Sequence, residues 1–384
     1  MRVPKLRFRE FEGEWEERPL NSIFERITTK NTENNDNVLT ISAQYGLISQ
    51  TDFFSKSVAG KDLTKYYLLH RDDFAYNKSY SNGYPMGAIK RLKKYDKGVV
   101  STLYICFNKK DNNNVDFLEQ FFESQKIEKN IRDIAQEGAR NHGLLNISVG
   151  DFFDICINIP TLAEQEKIGL FLSAVDKKIE LTSSLLDEFK TYKKGLMQKI
   201  FTQKLRFKDV NGEPFQDWQE KRLGDLCKIT TGKLDANAMV ENGIYRFYTC
   251  AKEFYFINDY AFDTEALLIS GNGANVGYIH YYKGKFNAYQ RTYVLDNFEE
   301  NILFIKYILE QNLKIRIERE KNSGNTPYIV LSVLTDMMLS LPSLAEQQKI
   351  ADFLSSIDSK IDLLDKELEG LRAFKKSLLQ QMFV

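Results

Sequence analysis

Residues 160–201 read PTLAEQEKIGLFLSAVDKKIELTSSLLDEFKTYKKGLMQKIF, and residues 342–383 read PSLAEQQKIADFLSSIDSKIDLLDKELEGLRAFKKSLLQQMF. The two stretches align without a gap. Nearly half of the positions are identical, and most of the others exchange like for like, as Val175 does with Ile357. Such self-similarity is an internal repeat, and it sets how the rest of the chain is divided.

Each copy carries apolar residues at alternating steps of four and three. In the first they are Ile168, Leu172, Val175, Ile179, Leu186 and Leu196, with Thr182, Phe189, Lys193 and Ile200 completing the row. In the second they are Ile350, Leu354, Ile357, Ile361, Leu368 and Leu378, with Leu364, Leu371, Lys375 and Met382. A seam of period 3.5 held over roughly five heptads predicts a coiled coil. A helix of about 38 residues spans roughly 57 Å and is marginal without a partner. The seam alone fits dimerisation of two chains as well as pairing within one. Lys193 and Lys375 share one late seam position. There the pairing is expected to weaken, the lysine stem snorkelling or Tyr192 and Phe374 taking over the contact.

Outward from the repeat, PKLRFREFEGEWEERPL at residues 4–20 returns as QKLRFKDVNGEPFQDWQEKRL at residues 203–223, and Trp15 matches Trp218, the only two tryptophans. Each half therefore runs from an entry segment through a globular middle to a long helix. Each entry segment stands where it can follow the long helix of the other half, a circular two-fold arrangement. In the first middle, residues 37–42 and 98–107 read as strands, 116–134 as a helix and 151–159 as a strand ending at Pro160, which opens the long helix. In the second, residues 266–270, 289–295, 328–332 and 337–341 read as strands and 302–317 as a helix. The frame is duplicated while the middles have diverged, as expected of two domains doing one kind of work on different targets.

Composition narrows the function. Lys plus Arg equals Asp plus Glu at 53 each, so any contact with a polyanion must come from local clusters. Four scattered cysteines without CxxC spacing read as small core residues of a reducing compartment, and no metal site is expected. With no apolar leader and no run of membrane-spanning length, a cytoplasmic location is expected. Each Gly-Lys pair is followed by Asp, Leu or Phe, which excludes a P-loop, and no HExxH, GxSxG or Cys-His constellation is present. No catalytic residues are identified. The glycine-rich stretch at residues 270–277 has GxGxxxG spacing and precedes a strand-like run, so it reads as a tight turn more than as a cofactor cradle.

Polar loops and basic residues interleaved with aromatics occur in both middles, beside Lys61, Lys65, Tyr66 and Tyr67 among others. Asn, Ser, Tyr, Lys and Arg in Gly-punctuated loops are the side chains that read base edges and hold phosphates. The candidate DNA contacts are Lys78, Tyr80, Ser81, Asn82, Lys90, Arg91, Arg140, Asn141 and His142 in the first middle. In the second they are Lys233, Asn272, Asn275, Lys283, Arg291, Lys321, Asn322 and Asn325. Any one of these loops, taken alone, reads more readily as a solvated surface, and it is their occurrence in both middles that points to phosphate contacts.

The duplicated Pro-x-Leu-Ala-Glu-Gln-x-Lys-Ile entries at Pro160 and Pro342, the Lys-Lys-x-Leu-x-Gln helix ends at Lys193 and Lys375 and the Trp15 and Trp218 segments resemble the specificity subunit of type I restriction-modification systems. The resemblance covers the whole chain. It implies an α+β fold: two mixed α/β target recognition domains separated by two long antiparallel helices that form an intramolecular coiled coil, related by a pseudo-two-fold repeat. The expected division is an entry segment with recognition domain 1 at 1–159, a central helix at 160–201, an entry segment with domain 2 at 202–341 and a distal helix at 342–384. It further implies that the chain is not an enzyme. It would bind double-stranded DNA and recruit two modification subunits that methylate adenine using S-adenosylmethionine. Restriction subunits using ATP and Mg would join them, with no cofactor held by this chain. A related type II specificity subunit and a coiled-coil scaffold with no DNA role are the alternatives.

Overall fold

The computed structural model describes residues 2–42, 45–54, 60, 62–80, 83–110, 112–135, 145–319 and 328–384. The chain forms two compact units, residues 1–182 with 367–384 and residues 183–366. The boundary cuts both long helices, so neither helix stands as a segment of its own.

In the first unit, β1 (Glu16–Pro19), α1 (Leu20–Ile23), β2 (Phe24–Ile27), β3 (Leu39–Ser42), β4 (Gly46–Ser49), α2 (Gln50–Phe54), β5 (Tyr67–His70), β6 (Phe74–Asn77), β7 (Ala88–Arg91), β8 (Lys97–Val100), β9 (Ile105–Lys109), α3 (Val115–Glu123), α4 (Glu128–Ile134), α5 (Val149–Asp154) and β10 (Cys156–Ile159) lead into α6 (Leu162–Phe201). Its central sheet has the order β2-β9-β6-β7. One face buries Phe24, Phe74, Phe107, Phe117, Phe121 and Phe152 against the start of α6 and the end of the last helix, where Ile168, Leu172, Leu378 and Phe383 join the same core.

In the second unit, β11 (Gln219–Arg222), α7 (Leu223–Leu226), β12 (Lys228–Thr231), β13 (Tyr245–Tyr248), β14 (Tyr255–Ile257), β15 (Phe262–Ser270), β16 (Ile279–Ala288), β17 (Thr292–Asp296), α8 (Ile302–Arg319), α9 (Leu331–Thr335) and β18 (Met338–Leu341) lead into α10 (Leu344–Met382). The sheet order β12-β17-β15-β16-β13-β14 contains the first unit's four-strand pattern, with β12, β17, β15 and β16 standing for β2, β9, β6 and β7. The diverged middles thus share one frame. Leu196, Ile200, Ile350, Leu354 and Ile357 from the two long helices join this unit's main core.

The expected strand at 98–107 is two strands, because Tyr104 N–H bonds Ser101 O at 3.1 Å and closes a turn. The expected helix at 116–134 is broken where Gln125 takes φ 61, a left-handed conformation that stops α3. Residues 151–154 are helical, not extended. Ser148 caps α5 by accepting from Asp151 N–H at 3.0 Å, and the helix buries Phe152 and Phe153 side by side. Residues 331–335 likewise form a helix that buries Val333 and Leu334, and Tyr289 to Arg291 turn into β17 rather than belonging to it. Pro160 does not open α6. Gln165 N–H bonds Thr161 O at 3.0 Å, so Thr161 closes the first turn, and the Pro160 carbonyl accepts from the Gln165 side chain.

The duplicated Glu-Gln of each helix entry builds a junction. The Glu164 carboxylate, 1% exposed, accepts from Arg7 Nε and Nη2, each at 2.8 Å, and from Trp15 Nε1 at 3.4 Å. The Glu346 carboxylate, 0% exposed, accepts from Arg206 Nε at 3.3 Å, Arg206 Nη2 at 2.8 Å and Trp218 Nε1 at 3.2 Å. Gln165 accepts from Asn114 N–H, and Asn114 caps α3; Gln347 accepts from Asn301 N–H, and Asn301 bonds Phe304 N–H at the start of α8. The ribbons β1–β10 and β11–β18 complete each junction. Leu6 N–H bonds Gln381 O at 3.0 Å, and Leu205 N–H bonds Lys199 O at 3.0 Å. Gln381 and Lys199 are matched positions of the repeat, so each entry segment meets a helix end in the same way, as the circular arrangement requires. Truncating Arg206 to Ala leaves a carboxylate buried with only an indole N–H for support. It is expected to destabilise the second unit by about 3 kcal/mol, and an unchanged unfolding midpoint in urea would contradict this role.

The helices pair antiparallel within each unit. All twelve predicted seam residues, Ile168, Leu172, Val175, Ile179, Leu186, Leu196, Ile350, Leu354, Ile357, Ile361, Leu368 and Leu378, are buried or half-buried. The seam lysines neither snorkel nor yield to their neighbours. Lys375 Nζ reaches Asp176 at 2.5 Å in the first unit, and Lys193 Nζ reaches Asp358 at 2.7 Å in the second, while Tyr192 and Phe374 remain exposed. The same aspartates accept from the globular parts, Asp176 from Gln120 Nε2 at 2.7 Å and Asp358 from the Tyr307 hydroxyl at 2.8 Å.

Candidate nucleic-acid interface

In the second unit four connections meet at the sheet. Gln290 N–H bonds Leu234 O at 2.9 Å, which joins the segment after β12 to the β16–β17 turn. Gly271 N–H bonds Arg291 O at 2.8 Å, joining that turn to the β15–β16 loop. Asn275 Nδ2 donates to Cys250 O at 3.1 Å and brings in the β13–β14 loop, where Ala251 O accepts from His280 Nε2 at 3.0 Å. Burial holds His280 below its ordinary pKa, with the bond to Ala251 opposing. A recess of about 310 Å³ opens there, lined by Thr231, Gly271, Gln290, Arg291, Tyr293 and Ile329.

The glycines explain how the loops come so close. A Cβ on Gly271 would press into the carbonyl oxygen of Arg291, and one on Gly232 into that of Ala288. Gly273 and Gly277 take φ 81 and 82, and the loop enters a strand, as the tight-turn reading expects.

Four of the candidates lie in this cluster. Lys233 and Arg291 are exposed, and Asn272 and Asn275 are half-buried. Lys283 stands along β16 instead, 3.1 Å from Glu265. In the first unit the loop after β6 holds Lys78, whose Nζ is 3.4 Å from Ile147 O, and Tyr80, which is 65% exposed. It occupies the place of the β15–β16 loop in the shared frame.

Lys90 and Arg91 require correction as surface cations. Lys90 is buried, 2.6 Å from Glu123 and 2.9 Å from the Tyr84 hydroxyl. Burial pulls its pKa down, but Glu123 and Tyr84 outweigh it and hold the ammonium above its ordinary value. Arg91 is spread over Asp72, Asp116 and Glu119 at 2.5, 2.6 and 3.1 Å. Both charges are met inside the unit, which leaves little for a phosphate. Ser81, Asn82, Arg140, Asn141, His142, Lys321, Asn322 and Asn325 lie outside the described residues, as does Lys61.

Sequence reasoning missed Gln290, whose Nε2 is held by Asp235 at 2.7 Å beside Arg291. It also missed the junction residues Glu164, Gln165, Glu346 and Gln347 and the seam partners Asp176 and Asp358. Their recurrence at matched repeat positions was the available signal. Among the described residues no group of His, Cys, Asp and Glu is placed to hold a metal ion, and no helix is long and apolar enough to cross a membrane.

Comparison with known proteins gives a consistent result. The family described as "Type I restriction modification DNA specificity domain" matches twice, over residues 12–191 and 216–373. The specificity subunit of the type I restriction enzyme EcoDI of Escherichia coli is 40% identical over 167 residues, covering 42% of this chain and only 37% of that protein's length. The MjaVIII specificity subunit of Methanocaldococcus jannaschii is 25% identical over 314 residues, covering 74% of this chain and 73% of the relative. The crystal structure of the S subunit of a type I restriction-modification system from M. genitalium matches 100% of this chain and 99% of its own with a TM-score of 0.65 and 19% identity, a likeness of fold.

Proposed function

Because the chain belongs to the type I restriction-modification DNA specificity family, we propose that each of its two units reads one half of a split DNA target. One observation carries the reading. A single four-strand frame occurs in both units and presents loops of unrelated sequence, while both long helices contribute to both units. Among the described residues no carboxylate forms an ion pair with Lys233 or Arg291, and both are exposed, which suits them to phosphates or base edges. The helix pair serves as the ruler that fixes the unread gap.

The chain itself performs no chemistry in this reading. Modification subunits would carry S-adenosylmethionine and methylate adenine, and restriction subunits would use ATP and Mg. Large apolar side chains stay exposed at matched positions of the two helices, Leu162 and Leu344, Leu181 and Leu363, Tyr192 and Phe374. Duplicated exposed anchors suit two copies of one partner, and we assign these faces to the two modification subunits.

The test is binding of DNA by the chain with its modification partner across a salt series. Phosphate contacts predict that log K falls linearly with log salt, by about 0.9 per phosphate neutralised, with a sequence-dependent component remaining at high salt. Salt-independent binding, or no DNA binding by the assembled complex, would overturn the reading in favour of a protein scaffold.

A further inference from the structure

Gln290 and Arg291 are the two central residues of a tight turn closed by Thr292 N–H on Tyr289 O at 2.8 Å. The turn is fixed on several sides. Arg291 O accepts from Gly271 N–H at 2.8 Å and from Cys250 Sγ at 3.4 Å, Gln290 N–H bonds Leu234 O at 2.9 Å, and Tyr289 N–H bonds Tyr248 O at 2.9 Å. Gly232 and Gly271 permit the close backbone approach. Gln290 is braced by Asp235. The Arg291 backbone is thereby tied on several sides while the residue stays exposed.

Elsewhere in the chain Arg7, Arg91 and Arg206 meet the carboxylates of Glu164, Asp72 and Glu346, and Arg246 lies over the rings of Phe254 and Tyr282. Arg291 is the one arginine on the four loops that gather at this recess. A planar fork of donors on a fixed backbone matches the O6 and N7 acceptors of guanine in the major groove, whereas a lysine provides only a point charge.

We propose that Arg291 is a specificity-determining residue, reading a guanine in the half-site that belongs to the second unit. This rests on the split-target function above and adds the identity of one base. Gly232 and Gly271 act as positioning residues that set the turn.

The experiment selects DNA from a random pool with the complete complex, carrying wild-type, Arg291→Ala or Arg291→Lys chain. Wild type is expected to select a split motif with a guanine in one half. Arg291→Ala is expected to lower discrimination at that one position roughly five- to 150-fold, the range of one bidentate pair. The other half-site and the gap should remain, serving as the internal control for folding. Arg291→Lys is expected to lose the same base while keeping low-salt affinity. An unchanged consensus with Arg291→Ala would overturn the inference, and so would a uniform loss of affinity restored by Arg291→Lys, which marks a phosphate contact. Failure of the wild-type complex to select a split motif would instead overturn the underlying function.

Discussion

Inserting four residues into each long helix, after Thr182 in α6 and after the matched Leu364 in α10, is expected to lengthen the unread gap by about two base pairs. Four residues add roughly 6 Å of helix, and base pairs rise about 3.4 Å. The rotation is also close to compatible: four residues turn a helix by about 400°, a net 40°, while two base pairs turn DNA by about 70°. The remaining 30° or so falls on DNA twist and the helix pair. A four-residue insertion is a stutter that locally unwinds a heptad seam, so both helices must receive it. Both half-sites should be unchanged, because the frame, the loops and the junctions at Glu164 and Glu346 are untouched. Methylation or selection mapping reads the result. Altered half-sites with the original gap would contradict the ruler.

The second large effect is expected from replacing residues 20–159 with the chain's own residues 223–341. One half-site should change completely while the other stays, giving a target whose two halves carry the same bases. The junction explains why the transplant should fold. Asn301 offers Gln165 the backbone N–H that Asn114 offers it now, and Tyr307 can meet Asp176 where Gln120 does now, as these groups already do with Gln347 and Asp358. The incoming β18 segment would pair with β1 as β10 does. A change in both halves would show that the units do not read independently.

Much of this was legible in the residues because periodicity and repetition are local signals. The seam is visible as apolar spacing, and its twelve residues are covered. The circular arrangement is visible in the matched Trp15 and Trp218 segments, and the Leu6–Gln381 and Leu205–Lys199 bonds realise it. What was not legible depends on residues far apart in sequence. Lys90 and Arg91 read as a surface cluster because Glu123, Asp116 and Glu119 approach from α3, folded back over the sheet. Lys193 and Lys375 read as weak points because their aspartates lie on the facing helix. Phe152 and Phe153 suggested a strand, since their β propensity outweighed a cap at Ser148 that only its bond to Asp151 N–H reveals. Gln290 carries no motif, and its place beside Arg291 follows from how four loops fold together.

The most direct measurement is selection of DNA from a random pool by this chain assembled with its modification partner. Two short blocks of defined bases, separated by a degenerate gap of one fixed length, are the predicted outcome. A single continuous block, or blocks whose separation varies freely, would contradict two readers held on one ruler.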